Sequence, residues 1–158
     1  MRVWRLCKKK HAAFDGEGAR RAGGRWNRKG TAVVYASESL ALAVLELLVH
    51  VDAALLPDDL VAAASEIPDA LAIARIEETS LPRGWRAHPA PQTLARLGTE
   101  WADSLESAVL SVPSALVPRE RNFLLNPAHH DFRKIQIGPA EPFRIDTRLR
   151  PARHADAR

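Results

Sequence analysis

Three polar residues, each carried by a different kind of predicted element, restrict the fold of this chain more than any other feature. Arg25 follows two glycines in a glycine-rich loop, Tyr35 lies at the end of a short apolar run, and Glu46 lies in a predicted helix. The three are spaced ten and eleven residues apart. They can act together only in a fold that places the strand and the helix around a common cleft.

Residues 31–36 and 38–51 are predicted as a buried strand followed by a helix. The first segment is short, apolar and β-branched, as buried strands are. Ser37 is predicted as the helix N-cap, with Glu38 in the first turn. Glu46 lies beside the apolar stripe rather than on it. The stripe predicted to face the core consists of Leu40, Val44, Leu47, Leu48 and Val51.

The remaining patterns predict an α+β chain. A length of 158 residues favours one domain, predicted to span residues 1–150, followed by a basic tail at 151–158. Residues 8–30 are predicted as a long loop rich in Gly, Lys and Arg, and residues 92–102 as a helix. Further strands are predicted at 3–6, 60–67, 71–76, 108–112, 133–138 and 143–145. The segment 57–100 carries no functional motif.

Composition indicates the cellular compartment and argues against a membrane or secreted protein. The single cysteine, Cys7, excludes an internal disulfide framework and fits a reducing cytoplasm. The most apolar window, residues 40–56, is interrupted by Glu46, His50 and Asp52, which is unlike a membrane span. No apolar signal-peptide core follows the N-terminus. We therefore expect a cytoplasmic protein with no membrane partner.

The net charge of +4 allows two interpretations. A basic C-terminal segment can contact nucleic acid, or it can be a solvated tail that keeps the protein soluble. No recognition helix or aromatic platform accompanies it, which favours the tail. The basic residues concerned are Arg144, Arg148, Arg150, Arg153 and Arg158.

The sequence does not match the residue spacing or context of a zinc site, a phosphate loop or a serine hydrolase site. His129 and His130 are adjacent and His50 is distant, so no pair has the spacing of a zinc site, and no metal is expected. The glycines of residues 16–24 lack the lysine and hydroxyl residue of a phosphate loop. Ser114 does not lie in the Gly-x-Ser-x-Gly pattern of serine hydrolases. It remains a candidate hydroxyl donor to a ligand.

Arg25, Tyr35 and Glu46 together suit an anionic dinucleotide that loses a cationic leaving group. Arginine binds phosphate through two parallel hydrogen bonds, and tyrosine can stack on a planar, electron-poor ring. A carboxylate beside an anomeric carbon stabilises an oxocarbenium-like transition state. The alternative is that Arg25 is a surface cation, Glu46 is solvated, and Tyr35 and Trp26 are half-buried aromatic residues.

Several sequence blocks in a fixed order resemble one family. These are Val3-Trp4-Arg5, Gly23-Gly24-Arg25-Trp26-Asn27, Val34-Tyr35-Ala36-Ser37, Glu46, Val112-Pro113-Ser114 and Asn122-Phe123-Leu124-Leu125-Asn126-Pro127. The chain resembles the RES-domain toxins of bacterial toxin–antitoxin pairs, which are named for an Arg, a Glu and a Ser. The resemblance implies a single compact α+β domain similar to ADP-ribosyltransferases, with mixed central β-sheets flanked by helices. It also implies that NAD is the substrate and that no cofactor is needed.

The resemblance assigns roles by motif position. Arg25 would bind the phosphates or a ribose of NAD, Tyr35 would stack on the nicotinamide, and Glu46 would be the catalytic carboxylate. Ser114 would complete the pocket, and Arg5 would be a second anion contact. A further candidate for NAD binding is Asn122.

The resemblance also implies a partner, an Xre-like helix-turn-helix antitoxin that occludes the NAD cleft and itself binds the promoter. The toxin then needs no nucleic-acid surface of its own. We expect ADP-ribose to pass to water or phosphate, with growth arrest as the result. One alternative is mono-ADP-ribosylation of a metabolic protein. Another, from a different class, is a non-catalytic basic module that binds nucleic acid.

Overall fold

One mixed β-sheet runs through residues 1–51 and 57–149, the part of the chain that the computed structural model describes. Its eight strands are β1 (Arg2–Lys8), β2 (Val34–Ser37), β3 (Leu60–Glu66), β4 (Ile73–Arg75), β5 (Val109–Pro113), β6 (Arg121–Leu125), β7 (Gln136–Ile137) and β8 (Glu141–Pro142). The strand order is β4-β5-β6-β2-β1-β3-β7, and β8 also pairs with β3. Only the β4–β5 pair is parallel. The helices are α1 (Glu17–Ala22), α2 (Leu40–Leu48) and α3 (Gln92–Ser104). The predicted α+β domain, with a mixed sheet flanked by helices, is confirmed.

The central strands are buried on both faces. Neighbouring residues of a strand point to opposite sides of the sheet, and here both sides carry a core cluster. On β5, Val109 packs into one core cluster and Leu110 into another. On β6, Phe123 and Leu124 divide in the same way. We call the side that carries Leu110 and Leu124 the cleft face. Helix α3 packs on this face through Leu94, Trp101 and Ala102.

Helix α2 begins later than the sequence predicted. Ser39 is its N-cap, and the Ser39 hydroxyl accepts a hydrogen bond from the Leu42 amide at 3.1 Å. The prediction of Ser37 as the cap is wrong, because Ser37 is the last residue of β2 and pairs with Asn122 of β6. Pairing with β1 and β6 extends β2 as far as Ser37, a residue that local propensity assigns to the start of the helix.

The orientation of α2 also differs from the prediction. Its buried residues are Leu42 and Ala43, so the side that carries Glu46 one turn later faces inward. The predicted stripe is only partly buried, and Leu47 and Leu48 contact a small cluster around Leu60. The helix lies over β1 and β2, and its buried side is the one that carries Leu42 and Ala43. Relative to the predicted orientation, α2 is turned about its axis so that Glu46 lies on the cleft face.

The glycine-rich segment 8–30 is ordered rather than a plain loop. It contains a 3-10 turn at Lys9–His11 and the helix α1. Gly16 precedes α1 and Gly23 follows it, and both have positive φ angles. Asn27 is buried within it. The Asn27 side-chain amide donates to the carbonyls of Ala19 at 2.9 Å and Thr31 at 3.1 Å. One buried side chain therefore joins α1 to the residue that follows the segment.

Sequence patterns were least successful in the last third of the chain. Strand β6 was not predicted, and the strand predicted at 133–138 is a 3-10 helix at His130–Lys134 followed by the two-residue β7. The strand predicted at 143–145 is wrong, since β8 ends at Pro142. None of the helices in residues 1–51 and 57–149 is long and apolar enough to cross a membrane. The predicted basic tail at 151–158 lies outside the described residues, as does Arg150.

Helix α3 meets the loop of Arg25 with no side chain between the two backbones. A Cβ atom at Gly98 would overlap the carbonyl oxygen of Trp26 and lie 2.9 Å from its carbonyl carbon. The adjacent Thr99 hydroxyl accepts a hydrogen bond from the Arg28 amide at 2.9 Å. The absence of a side chain at Gly98 therefore sets the position of the loop that carries Arg25.

We predict that Gly98→Ala lowers the free energy of unfolding by about 1–3 kcal/mol, the usual cost of overpacking. The matched control is Gly18→Ala in α1, where an added Cβ would meet no atom within 4 Å. That change should raise stability by up to about 1 kcal/mol through helix propensity. Urea denaturation measures both, and equal stabilities for the two variants would contradict the close approach.

Candidate active site

A cleft of about 500 Å³ opens on the cleft face of the sheet. Strands β1, β2 and β6 form its floor, α2 forms one wall, and two loops form the opposite wall. The lining residues are Trp4, Leu6, Gly23, Gly24, Arg25, Trp26, Tyr35, Ala36, Ser37, Ala43, Glu46, Leu47, His50, His88, Pro89, Ala90, Ala115 and Asn122. The three residues singled out by their spacing, Arg25, Tyr35 and Glu46, all line it.

Arg25 lies on the loop wall and is held there by main-chain carbonyls. Its two terminal nitrogens donate to Trp85 O at 2.8 Å and to Ala87 O at 3.2 Å. Burial lowers the pKa of Arg25 from its ordinary value, and the negative charge of Glu46 opposes that shift. A guanidinium has five N–H donors, so most remain available to a ligand. Arg25 is thus a fixed cation facing a carboxylate across the cleft.

Tyr35 is fixed at its hydroxyl. The Tyr35 hydroxyl donates to Asn27 Oδ1 at 2.8 Å and accepts from the Trp26 amide at 3.0 Å. Burial raises the pKa of Tyr35 well above its ordinary value, so the phenol stays neutral. Gly24 makes this approach possible, because a Cβ there would lie 2.7 Å from the Tyr35 hydroxyl. The ring itself lines the cleft beside Arg25.

Glu46 is anchored through one oxygen of its carboxylate. Its Oε1 accepts from the Ser114 hydroxyl at 2.9 Å and from the Asn122 side-chain amide at 2.5 Å. Ser114 is fully buried, and its Oγ also accepts from the amides of Leu116 and Val117, both at 3.1 Å. In residues 1–51 and 57–149, Oε2 has no protein hydrogen-bond partner, and it is the oxygen left for a ligand in the cleft.

Ser114 therefore lies beneath the cleft rather than in its lining. The structure brings together Glu46, Ser114 and Asn122, which are separated in sequence by 68 and 76 residues. Spacing alone gave no signal for this group. The resemblance to a family named partly for its serine was the signal that singled out Ser114.

Arg5 is not brought into the cleft. Alternation along β1 directs Trp4 and Leu6 to the cleft face and Arg5 to the opposite face. There the Arg5 guanidinium donates to Tyr35 O and His11 O, both at 3.2 Å, and lies 5.7 Å from the centre of the Phe14 ring. Its contacts support β2 from behind, so the position of Arg5 does not favour the expected anion contact.

Ser37 and Trp4 lie on the floor but were not recognised from sequence as site residues. Ser37 was assigned to a helix cap, and Trp4 was noted only as part of a sequence block. Register places Trp4 opposite Ser37 and Ser37 opposite Asn122, so the three form one row across β1, β2 and β6. Period-two alternation, with Tyr35 and Ser37 on one face, was the available signal.

The adjacent histidines form a separate group with Asp131. The ligand atoms of His129, His130 and Asp131 lie within 4.8 Å of one another. However, Asp131 pairs with Lys134 at 2.6 Å, and His129 Nδ1 accepts from the Asp131 amide at 3.0 Å. These contacts make a polar turn. The expectation that no metal is bound stays a prediction.

Comparison with known proteins identifies relatives along nearly the whole chain. The RES domain family matches residues 2–146. A protein named Prs ADP-ribosylating toxin, from Sphingobium sp. (strain YBL2), is 43% identical over 138 residues, covering 86% of each chain. A protein named Toxin Res, from Yersinia enterocolitica, is 39% identical over 154 residues, covering 95% of this chain and 100% of that one.

A solved structure shares the fold. A chain from the crystal structure of the M. tuberculosis MbcT–MbcA toxin–antitoxin complex aligns with a TM-score of 0.72. The alignment covers 90% of this chain and 83% of that chain, at 18% sequence identity. At this identity the similarity establishes the architecture alone.

Proposed function

The chain belongs to the RES domain family, and we propose that it is a toxin that cleaves NAD at the bond between nicotinamide and ribose. The observation that carries the proposal is the anchored carboxylate of Glu46, which faces the fixed cation Arg25 across one cleft. The toxin names of its relatives support the same conclusion.

In the proposed reaction, Arg25 binds the anionic part of NAD. Trp85 O and Ala87 O hold the guanidinium, so its remaining donors need no reorganisation before they meet phosphate. Tyr35 presents an aromatic ring beside it, as stacking on the nicotinamide requires. Arg25 on the loop wall and Tyr35 on the floor together orient the dinucleotide against α2.

Glu46 supplies the electrostatic part of catalysis. Loss of nicotinamide leaves positive charge on the ribose while the pyridinium becomes neutral, so the group needed is a fixed negative charge beside the anomeric carbon. Because Ser114 and Asn122 hold Oε1, Oε2 is the oxygen that would face the ribose. Nicotinamide is a good leaving group, so the proposed reaction uses NAD as substrate and no cofactor.

The acceptor of ADP-ribose is proposed to be water or phosphate. A second candidate is a protein side chain, favoured by the relative named for ADP-ribosylation at 43% identity. Both use the same bond cleavage and the same residues. The nucleic-acid alternative depends mainly on basic residues that lie outside the described part of the chain.

A toxin of this kind needs an inhibitor, and we propose an Xre-like helical antitoxin that fills the cleft in the cytoplasm. A carboxylate of the antitoxin would pair with Arg25, the cation that lines the cleft. Arg5, the other expected contact, lies on the opposite face of the sheet. The structural relative from a toxin–antitoxin complex is consistent with such a partner.

Induction of this chain alone in bacteria should stop growth and lower cellular NAD, and co-expression of the antitoxin should restore growth. Purified protein should then be incubated with NAD labelled in its adenylate, with and without cell extract. Free nicotinamide without labelled protein indicates water or phosphate as the acceptor, and a labelled protein band indicates transfer. Unchanged growth together with undiminished NAD in every assay would reject the proposed function.

Glu46→Gln should lower turnover by about two orders of magnitude or more, the usual effect of removing one preorganised electrostatic group. The amide keeps the size of the side chain, so the thermal midpoint and the co-purification of the antitoxin should change little. Steady-state release of nicotinamide measures the effect. Turnover within about threefold of the parent would remove Glu46 from the mechanism.

Arg25→Lys should weaken NAD binding by roughly 1.5–3 kcal/mol, the range for hydrogen bonds to charged groups, because an ammonium cannot reproduce the fork. Calorimetry in the Glu46→Gln background measures the affinity without turnover. Arg28→Lys is the matched control, since Arg28 is exposed in the same loop and does not line the cleft. Equal affinities for the two lysine variants would make Arg25 an ordinary surface cation.

A further inference from the structure

We propose that Ser37 and Asn122 are positioning residues that fix the orientation of the Glu46 carboxylate. The inference rests on the proposed function, because it concerns the same cleft, but its geometry stands independently of the substrate. The three side chains form a continuous chain of hydrogen bonds from β2 through β6 to α2. Neither the spacing of the residues nor the similarity to relatives assigns Ser37 a role.

Both polar atoms of the Asn122 side chain are engaged. Asn122 Nδ2 donates to Glu46 Oε1 at 2.5 Å, and Asn122 Oδ1 accepts from the Ser37 hydroxyl at 2.7 Å. Ser37 is buried, and it stands directly opposite Asn122 in the β2–β6 ladder. The amide is therefore bridged between a rigid strand and the carboxylate of a helix.

The direction of this chain is determined by chemistry. An ionised carboxylate only accepts hydrogen bonds, so the amide nitrogen of Asn122 must face Glu46. The amide oxygen then faces Ser37, and a serine hydroxyl can serve it as a donor. Removal of the Ser37 hydroxyl would leave that oxygen without its partner and release one of the two restraints on the amide.

Two donors are needed because one does not fix a carboxylate. The Ser114 bond alone permits rotation of the Glu46 side chain about the shared oxygen. The Asn122 bond arrives from a different strand and removes that freedom. With Oε1 held from β6 and from the end of β5, Oε2 has a defined direction into the cleft.

The first test compares Ser37→Ala, Ser37→Thr and Ser65→Ala in NAD cleavage. Ser65 is a buried serine of β3 whose hydroxyl makes no hydrogen bond, so its removal controls for the loss of a buried hydroxyl. Ser37→Ala should lower kcat by roughly tenfold, the scale of one hydrogen bond near the upper end of its usual range, with KM within about twofold. Ser37→Thr keeps the hydroxyl and should retain most of kcat, as should Ser65→Ala. Equal kcat values for Ser37→Ala and Ser65→Ala would overturn the role of Ser37.

The second test uses Asn122→Asp and the pH dependence of kcat. While protonated, the new carboxyl can donate to Glu46 Oε1 in place of the amide. Two adjacent carboxyl groups share a proton, which raises one pKa of the pair strongly. The ratio of variant to parent kcat should therefore be largest at acid pH and fall by about tenfold or more as the pH rises through that pKa. A ratio independent of pH would show that Asn122 acts only through packing.

Other titratable or charged groups around this pair are common to parent and variant. From the cleft walls these are Arg25, Tyr35, His50 and His88. These groups are present in both enzymes, which differ only in the carboxyl at position 122.

A third measurement separates failure of this inference from failure of the proposed function. In the ¹⁵N NMR spectrum of the free protein, the side-chain amide of Asn122 should shift in both Ser37→Ala and Glu46→Gln and not in Ser65→Ala. If the parent cleaves no NAD, the proposed function fails while this pattern still supports the hydrogen-bonded chain. If the amide is unchanged in Ser37→Ala, the positioning role fails whatever the activity.

Discussion

The antiparallel pairing of β2 with β6 joins the N-terminal strands β1 and β2 to the later strands β5 and β6. Each strand is short, yet the ladder from Val34–Leu125 to Ser37–Asn122 joins segments that lie 85 or more residues apart in sequence. Strand β2 also pairs with β1, and β6 also pairs with β5, so this ladder lies inside the sheet rather than at its edge. The floor residues Tyr35, Ser37 and Asn122 take their positions from it. Helix α2 follows β2 directly and thus brings Glu46 over the same floor.

The two walls of the cleft carry opposite charges that different kinds of contact hold in place. Main-chain carbonyls fix Arg25, whereas side chains from two strands fix Glu46. This separation fits the proposed substrate, whose phosphates are anionic and whose positive charge moves from the pyridinium to the ribose during bond cleavage. Helix α3 contributes no side chain to the cleft lining, and it acts by setting the loop of Arg25 through Gly98.

Local patterns predicted the parts of the fold that depend on burial alone. The strand predicted at residues 31–36, which contains most of β2, was recognised from a short apolar, β-branched run. The helix predicted at 92–102 was recognised from the helical spacing of its apolar residues. Strand β6 was missed because Arg121 and Asn122 are polar for structural reasons: Arg121 donates to Ser111 O and Ile76 O, and Asn122 holds Glu46. The partners of Glu46 could not be found from spacing, since they become neighbours only when the sheet forms. Position along β1 could have indicated where Arg5 lies, because period two directs Trp4 and Arg5 to opposite faces.

The buried amide of Asn27 has a consequence for the thermodynamics of ligand binding. It cross-links the glycine-rich segment through the carbonyls of Ala19, Arg28 and Thr31, and it also holds the hydroxyl of Tyr35. A segment with this many glycines has a large conformational entropy when it is free. Here that entropy is lost when the chain folds, not when a ligand arrives. Association with the loop wall should therefore resemble docking to a rigid surface, with a small entropic penalty and little change in heat capacity beyond that of the apolar area covered.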